Sequence, residues 1–225
     1  MENRSHSNLK DKQNHYHHGN LKEALITAGL ELLATGGPMA LDLRKVAKKA
    51  GVSHTAPYRH FADKQSLLVA ILETGFRRLA DRLQHSLSLP SEQCFERLLQ
   101  FVKAYVAFGL ENPLLLRQMY TGVIQDKENY PELYTIYKAA FFMPLVNIVK
   151  EGQNNQELTN DDPFRLAVSI WSMMHGLTIL LIEDTILPAR PVSQNGAGVD
   201  LVIRNCLQTI YNGIKAPGTV PLTQQ

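Results

Sequence analysis

Residues 41–64, LDLRKVAKKAGVSHTAPYRHFADK, decide how this chain is read. Asp42 is a natural N-cap for a short helix whose apolar residues Leu43, Val46 and Ala47 keep helical spacing. Gly51 follows Ala50 where a left-handed turn residue is needed. A second short helix is expected after Ser53, its cap, and Asp63 then caps a long helix ending near Leu87. Two short helices joined through a glycine turn form a helix-turn-helix, whose second helix presents its first residues to base edges in the major groove. Pro57 sits awkwardly in that second helix, since proline breaks helix interiors. With Ser53 as cap it is the fourth helical residue, and with His54 as cap the third. Either way it falls in the first turn, where its fixed φ is tolerated. Ala56, just before it, is pushed from helical geometry, so a distorted start with regular backbone from Tyr58 onward is expected.

The side chains of this stretch suit contact with nucleic acid. Tyr58 and His60 offer donors that reach phosphates. Lys64 stands at a helix N-terminus, where dipole and charge both favour an anion. Phe61 is the expected core anchor. Arg44, Lys45, Lys48 and Lys49 crowd the first helix of the pair, and a solvated basic face accounts equally well for some of them. The charge distribution agrees. The net charge is +2, but residues 1–80 hold 12 Lys/Arg against 7 Asp/Glu, while residues 81–225 hold 11 against 14. A basic head on a mildly acidic body is the footprint of a nucleic-acid-binding head on a body with another task.

Outward from the motif the pattern is helical throughout, with no alternating strand signal. A preceding helix is expected from Asn20 to Ala34, ended by Gly36-Gly37-Pro38. Beyond Pro90, Ser91 caps a helix carrying Phe95, Leu98, Leu99, Val102, Tyr105 and Val106, closed at Glu111 to Pro113. PLLLRQMY reads as a short helix, and PELYTIYKAAFFMPLVNIVKEG as a longer one bent or interrupted at Pro144. Asp161-Asp162-Pro163 opens FRLAVSIWSMMHGLTILLIE, apolar on nearly every face and so deeply buried or sandwiched between partners. A loop, PARPVSQNGAG, precedes a last helix with Leu201, Cys206 or Leu207, and Ile210 inward. The apolar run from Ile170 to Ile182 is too short for a bilayer, which needs about 20 residues. With no secretory signal and two distant cysteines, Cys94 and Cys206, a reduced cytoplasmic setting without a membrane span is expected.

These residues resemble the TetR family of transcriptional regulators. LDLRKVAKKAGVSHTAPYRHFADKQSLLVAIL is similar to that family's run of Gly-Val-Ser, Tyr-x-His-Phe, Lys and a Leu pair, and YHHGNLKEALITAGLELLATGG to its preceding helix, so the resemblance covers about Tyr16 to Leu72. WSMMHGL, with Trp171, His175 and Gly176, resembles a C-terminal Trp-His-Gly subgroup, and ENPLLLRQMYTG fits it too. The resemblance implies an all-α fold. A three-helix helix-turn-helix head at 16–64 would be joined by the long helix to a helical ligand-binding and dimerisation domain at 65–215, with residues 1–15 and 216–225 as flexible ends. It implies a homodimer paired through its last two long helices. It also implies a repressor on a palindromic double-stranded DNA operator, released by a small-molecule effector held among the middle helices. One short helix buries too little for tight specific binding, so two heads about 34–36 Å apart are needed. A ligand that prefers another head spacing then weakens DNA binding by linkage.

By the same resemblance Tyr58, His60 and Lys64 match phosphate-contacting positions, and His54, Thr55 and Arg59 match positions that face bases. Ala56 replaces a common Thr and Pro57 a common Leu. The lost hydroxyl removes a phosphate bond, and Ala56 could pack on a thymine methyl instead. For the effector, Tyr105, Met119, Tyr120, Tyr134, Tyr137, Phe141, Trp171 and His175 are candidates, since ligand sites are mostly apolar with a few polar groups. His175 suits either a ligand contact or a core histidine bonded to a backbone carbonyl. His15, His17 and His18 read as surface residues beside the DNA backbone with Tyr16, and no metal or other cofactor is expected. No phosphate loop, nucleophile elbow, His-Glu-x-x-His or paired Cys motif points to an enzyme. The rival reading is a DNA-binding regulator with no small-molecule effector.

Overall fold

The computed structural model describes residues 21–88, 93–184 and 196–217. The expectations for Asn20, Ser91, the N-terminal histidines, most of the 188–198 loop and the final residues lie outside these. Two long helices form the spine. Helix α3 (Lys64–Leu87) packs on α4 (Cys94–Glu111), and every other described helix, down to the four-residue α6 (Gly122–Gln125), rests on one or both of them or on their immediate neighbours. Leu72, Phe76 and Leu79 of α3 and Phe101, Val102 and Tyr105 of α4 are fully buried. Each such side chain contributes about 1.5–3 kcal/mol by leaving water.

On α3 sits α1 (Leu21–Ala40), and α2 (Leu43–Lys49) packs in turn on α1. The helix expected to stop before Gly36 does break there. Gly37 takes φ 63°, ψ −167°, and one further helical turn then runs through Pro38 to Ala40. Gly36 cannot be larger without a shift, because a Cβ there would meet Ala40 Cβ at 2.6 Å. Around α4 stand α5 (Pro113–Met119), α7 (Pro131–Tyr137), α8 (Met143–Asn154), α9 (Pro163–Ile182) and α10 (Gly196–Ile214). The interruption expected at Pro144 falls one turn earlier, as a π-helical turn over Lys138–Phe142 closed by Met143 N–H donating to Lys138 O. A widened turn is the usual way for a helix to absorb an extra residue.

Two expectations are corrected. On α10 the inward residues are Ile203, Leu207 and Tyr211, whereas Leu201 is 60% exposed. Second, α9 runs 20 residues, long and apolar enough to cross a membrane by length and composition, not the 13 of its purest run. It packs instead on α4, α8 and α10, burying Leu166, Ala167, Ile170, Met174, Leu177 and Thr178. Its other side shows Phe164, Val168, Ser172, Gly176 and Leu180, spaced by four and all exposed.

Candidate functional site

The head is built by caps. Asp42 is extended, and its Oδ1 accepts from Arg44 N–H at 2.9 Å and Lys45 N–H at 3.1 Å. At the other end of α2, Gly51 has φ 70° and donates to Lys48 O, while Val52 N–H donates to Ala47 O. This is the Schellman pair, which needs a left-handed residue at Gly51. Asp63 and Ser66 form a reciprocal capping box on α3, with Ser66 N–H to Asp63 Oδ1 at 2.7 Å and Asp63 N–H to Ser66 Oγ at 3.2 Å. The bond from the Ser66 N–H, followed by the Ser66 side chain, holds the Asp63 carboxyl below its usual range.

Between these caps the second helix of the pair is shorter than expected. It is a single 3-10 turn, Ala56–Arg59, flanked by Thr55 and not by Ser53. Ser53 does not cap with its side chain. Its Oγ lies 3.1 Å from Thr55 Oγ1, and its carbonyl accepts from Ala56 N–H. Pro57 explains the tight turn. It has no N–H for an α-ladder bond and disfavours α geometry at Ala56. Its own carbonyl accepts from both His60 and Phe61 N–H at 2.9 Å, closing the turn. The backbone is therefore not regular from Tyr58 on, and His60 already has φ −119°.

The turn has two sides. Ala56, Pro57 and Phe61 are buried, so Ala56 is unavailable to a thymine methyl. Ser53, His54, Thr55, Tyr58, Arg59 and His60 are all exposed, as are Arg44 and Lys64. Tyr58 is 54% exposed despite its large ring. Lys64 differs from expectation in one respect: its Nζ donates to Pro38 O at 2.7 Å, tying the α1 kink to the start of α3.

In the body, residues far apart in the chain converge on one aromatic cluster. Tyr105 Oη lies 2.8 Å from His175 Nδ1, so His175 bonds to a tyrosine, not to a backbone carbonyl. The Tyr120 ring stands 4.6 Å from that of His175 and 6.2 Å from Trp171. Tyr137 meets Tyr120, and Phe141 meets Tyr105 and Trp171. Burial drives the Tyr105 and Tyr120 hydroxyls well above their usual pKa and lowers that of His175, so all three are neutral. Tyr134 stands at the rim, its ring 6.2 Å from Tyr137 and 4.4 Å from Lys127 Nζ. Met119 is buried between α5 and α3, where its Sδ would lie 3.2 Å from a Cβ at Gly75. Phe76 joins the cluster through Tyr120 and Tyr137, and Phe101 through Phe141. Neither was singled out from sequence, because both fall on ordinary core spacing.

Known proteins match the same regions. Residues 25–71 match the family model for bacterial regulatory proteins of the TetR family. The tetracycline repressor protein class G of Vibrio anguillarum is 41% identical over 71 residues, which cover 32% of this chain and 31% of that protein. Across the curated relatives it matches, the chain spans between 28% and 46% of itself and at most 51% of their length. Among solved structures, a protein of unknown function from Rhodococcus sp. RHA1 is 31% identical with a TM-score of 0.78, covering 90% of this chain and 99% of that one. A TetR family transcription regulator from Marinobacter aquaeolei VT8 has the same fold at 19% identity, with a TM-score of 0.63 over 87% of this chain and 95% of that one. Residues 25–71 are therefore a TetR-family N-terminal domain, and the described residues share the all-helical fold of that regulator.

Proposed function

We propose that this chain is a sequence-specific DNA-binding transcription regulator, acting as a homodimeric repressor that a small molecule releases from its operator in the cytoplasm. The observation that carries the reading is the two-sided turn at 53–61, with polar side chains outward over a buried Ala56, Pro57 and Phe61. A rigid scaffold holding such side chains outward is what groove recognition requires. In this reading residues 16–64 are the head and 65–215 the body. Arg59 reads a base, His54 and Thr55 lie beside it, and Arg44, Ser53, Tyr58, His60 and Lys64 engage phosphates. Ala56 supports the turn from beneath.

The dimer reading is supported by the exposed α9 stripe of Phe164, Val168, Ser172, Gly176 and Leu180, with Leu201 of α10 also exposed. A stripe that is apolar at its ends and small in its middle suits close packing against a second copy. Val168→Glu should convert the protein to a monomer in sedimentation and abolish tight operator binding. An unchanged dimer would remove this interface.

We infer a body of the Trp-His-Gly subgroup, supported by Trp171 and His175 one turn apart within the cluster. The cluster is read as the effector site, lined by Tyr105, Met119, Tyr120, Tyr137, Phe141, Trp171 and His175, with Tyr134 at its rim. It has a path to the head. Tyr120 ends α5, and α5 packs on both α1 and α3. A displaced Tyr120 would shift the helix on which the head rests. The test is to capture genomic fragments with the purified chain, with and without cell extract. Enriched palindromic fragments released by extract support the whole reading. Enrichment that no extract reverses favours a regulator without a small-molecule effector, and no enrichment defeats the DNA reading.

A further inference from the structure

Two polar atoms in the aromatic cluster stand out. Trp171 Nε1 and Tyr120 Oη are buried and have no hydrogen-bond partner in the protein. They stand near each other and near Tyr105, at the margin of hydrogen bonding, but short of the distance and angle a full bond requires. Protein interiors pair such groups almost without exception, and leaving them unpaired is costly. Tyr105 and His175, in the same cluster, already satisfy each other at 2.8 Å.

We propose, on the reading of this cluster as the effector site, that it takes an uncharged, mainly apolar molecule bearing a hydrogen-bond acceptor that Trp171 and Tyr120 recognise. An indole N–H can only donate, so whatever completes the site must offer it a lone pair. Tyr120 can donate to the same oxygen. The remaining wall is ring surface from Phe76, Tyr137 and Phe141, which favours flat or aromatic bodies. Tyr137, the last residue of α7, and Phe141, in the π-helical turn that follows it, stand with their rings stacked 6.1 Å apart.

Charge is disfavoured by what surrounds these atoms. The rings in contact with Tyr105, Tyr120, Trp171 and His175 are one another's and those of Phe76, Tyr137 and Phe141. Lys127 and Lys138 stand over the Tyr134 ring, at the rim. A neutral His175 offers no counter-ion to a carboxylate at the inner atoms. A buried unpaired charge is far costlier than a buried carbonyl. Ring faces attract cations, but a quaternary ammonium has no lone pair for Trp171.

The test uses four probes of one size: propiophenone, propylbenzene, phenyltrimethylammonium and 3-phenylpropionate. Trp171 is the chain's single tryptophan, so its emission reports on the site itself. Binding to the full chain is followed by calorimetry, Trp171 emission and melting temperature. Propiophenone should bind about tenfold tighter than propylbenzene, the worth of one added net hydrogen bond. The two charged probes should not bind where propiophenone saturates. Trp171→Phe and Tyr120→Phe, followed by calorimetry, should keep propylbenzene binding and bring the ketone to parity with it. Equal binding of ketone and hydrocarbon by the unaltered chain overturns the acceptor role. A charged probe binding most tightly overturns the neutral class while leaving an effector site in place. If none of the four shifts emission or melting, the cluster is core, and the effector-site reading falls with the proposal.

Discussion

The turn at 53–61 and the aromatic cluster solve opposite problems with the same fold. In the turn, a few apolar residues are buried so that polar ones can face outward, and the scaffold is local. Asp42, Gly51, Pro57 and Asp63 each fix the backbone within a few residues of themselves. In the cluster, polar atoms face inward among rings, and nothing local holds them there. Tyr105 and His175 are 70 residues apart and meet only because α4 packs on α9. A surface organised by its neighbours in sequence is robust and readable. A cluster organised by packing between helices is adjustable, which suits the effector role proposed for it.

That contrast can be broken at its scaffold first. Phe61 is 3% exposed beneath the turn. Phe61→Ala should cost about 3–5 kcal/mol of stability and remove DNA binding altogether, as read by thermal melting and a mobility shift. Retained binding would mean that the exposed side chains do not depend on their buried backing. Arg59→Ala, on the outward side, should leave melting unchanged but cost about 1–3 kcal/mol of discrimination at one base pair. A selection of binding sites from random DNA would show that position relaxed.

The cluster supplies a pH test. Burial holds the folded pKa of His175 below its ordinary 6.5. The folded state therefore binds fewer protons there than the unfolded one, and stability falls as pH drops below 6.5 toward the folded pKa. The Asp63 carboxyl, held below its usual range, acts only at lower pH, and comparison with a variant isolates the histidine. Melting of the unaltered chain should fall more steeply through that window than melting of His175→Asn. Parallel curves would place His175 in solvent. The smallest effect belongs to Lys64→Ala. It should flatten the salt dependence of DNA binding by about one unit of slope. Loss of the exposed tie to Pro38 should move stability by no more than about 0.5 kcal/mol.

How far the sequence could be read follows the same division. The caps at Asp42 and Asp63, the left-handed Gly51 and the break at Gly37 were legible because each rule acts over four or five residues. Pro57 was placed in the first turn correctly. Its consequence, a 3-10 turn that buries Ala56, depends on how the turn lies against Phe61 and the core, which spacing does not state. α10 is apolar on more than one face, and periodicity does not separate the exposed Leu201 from the core residues. The aromatic candidates of the body came largely from composition. The Tyr105–His175 bond and the unpaired Trp171 and Tyr120 atoms had no signal in the chain, since they arise where separate helices meet.

The most direct measurement of the central claim is the affinity of the full chain for a captured genomic site against a shuffled site of equal length and composition. It is made at physiological salt, with the footprint on the captured site recorded alongside. The account predicts a preference of about a thousandfold or more, with two protected half-sites about 34–36 Å apart on one face of the duplex. Equal affinity for the two DNAs, or one protected half-site, would contradict it.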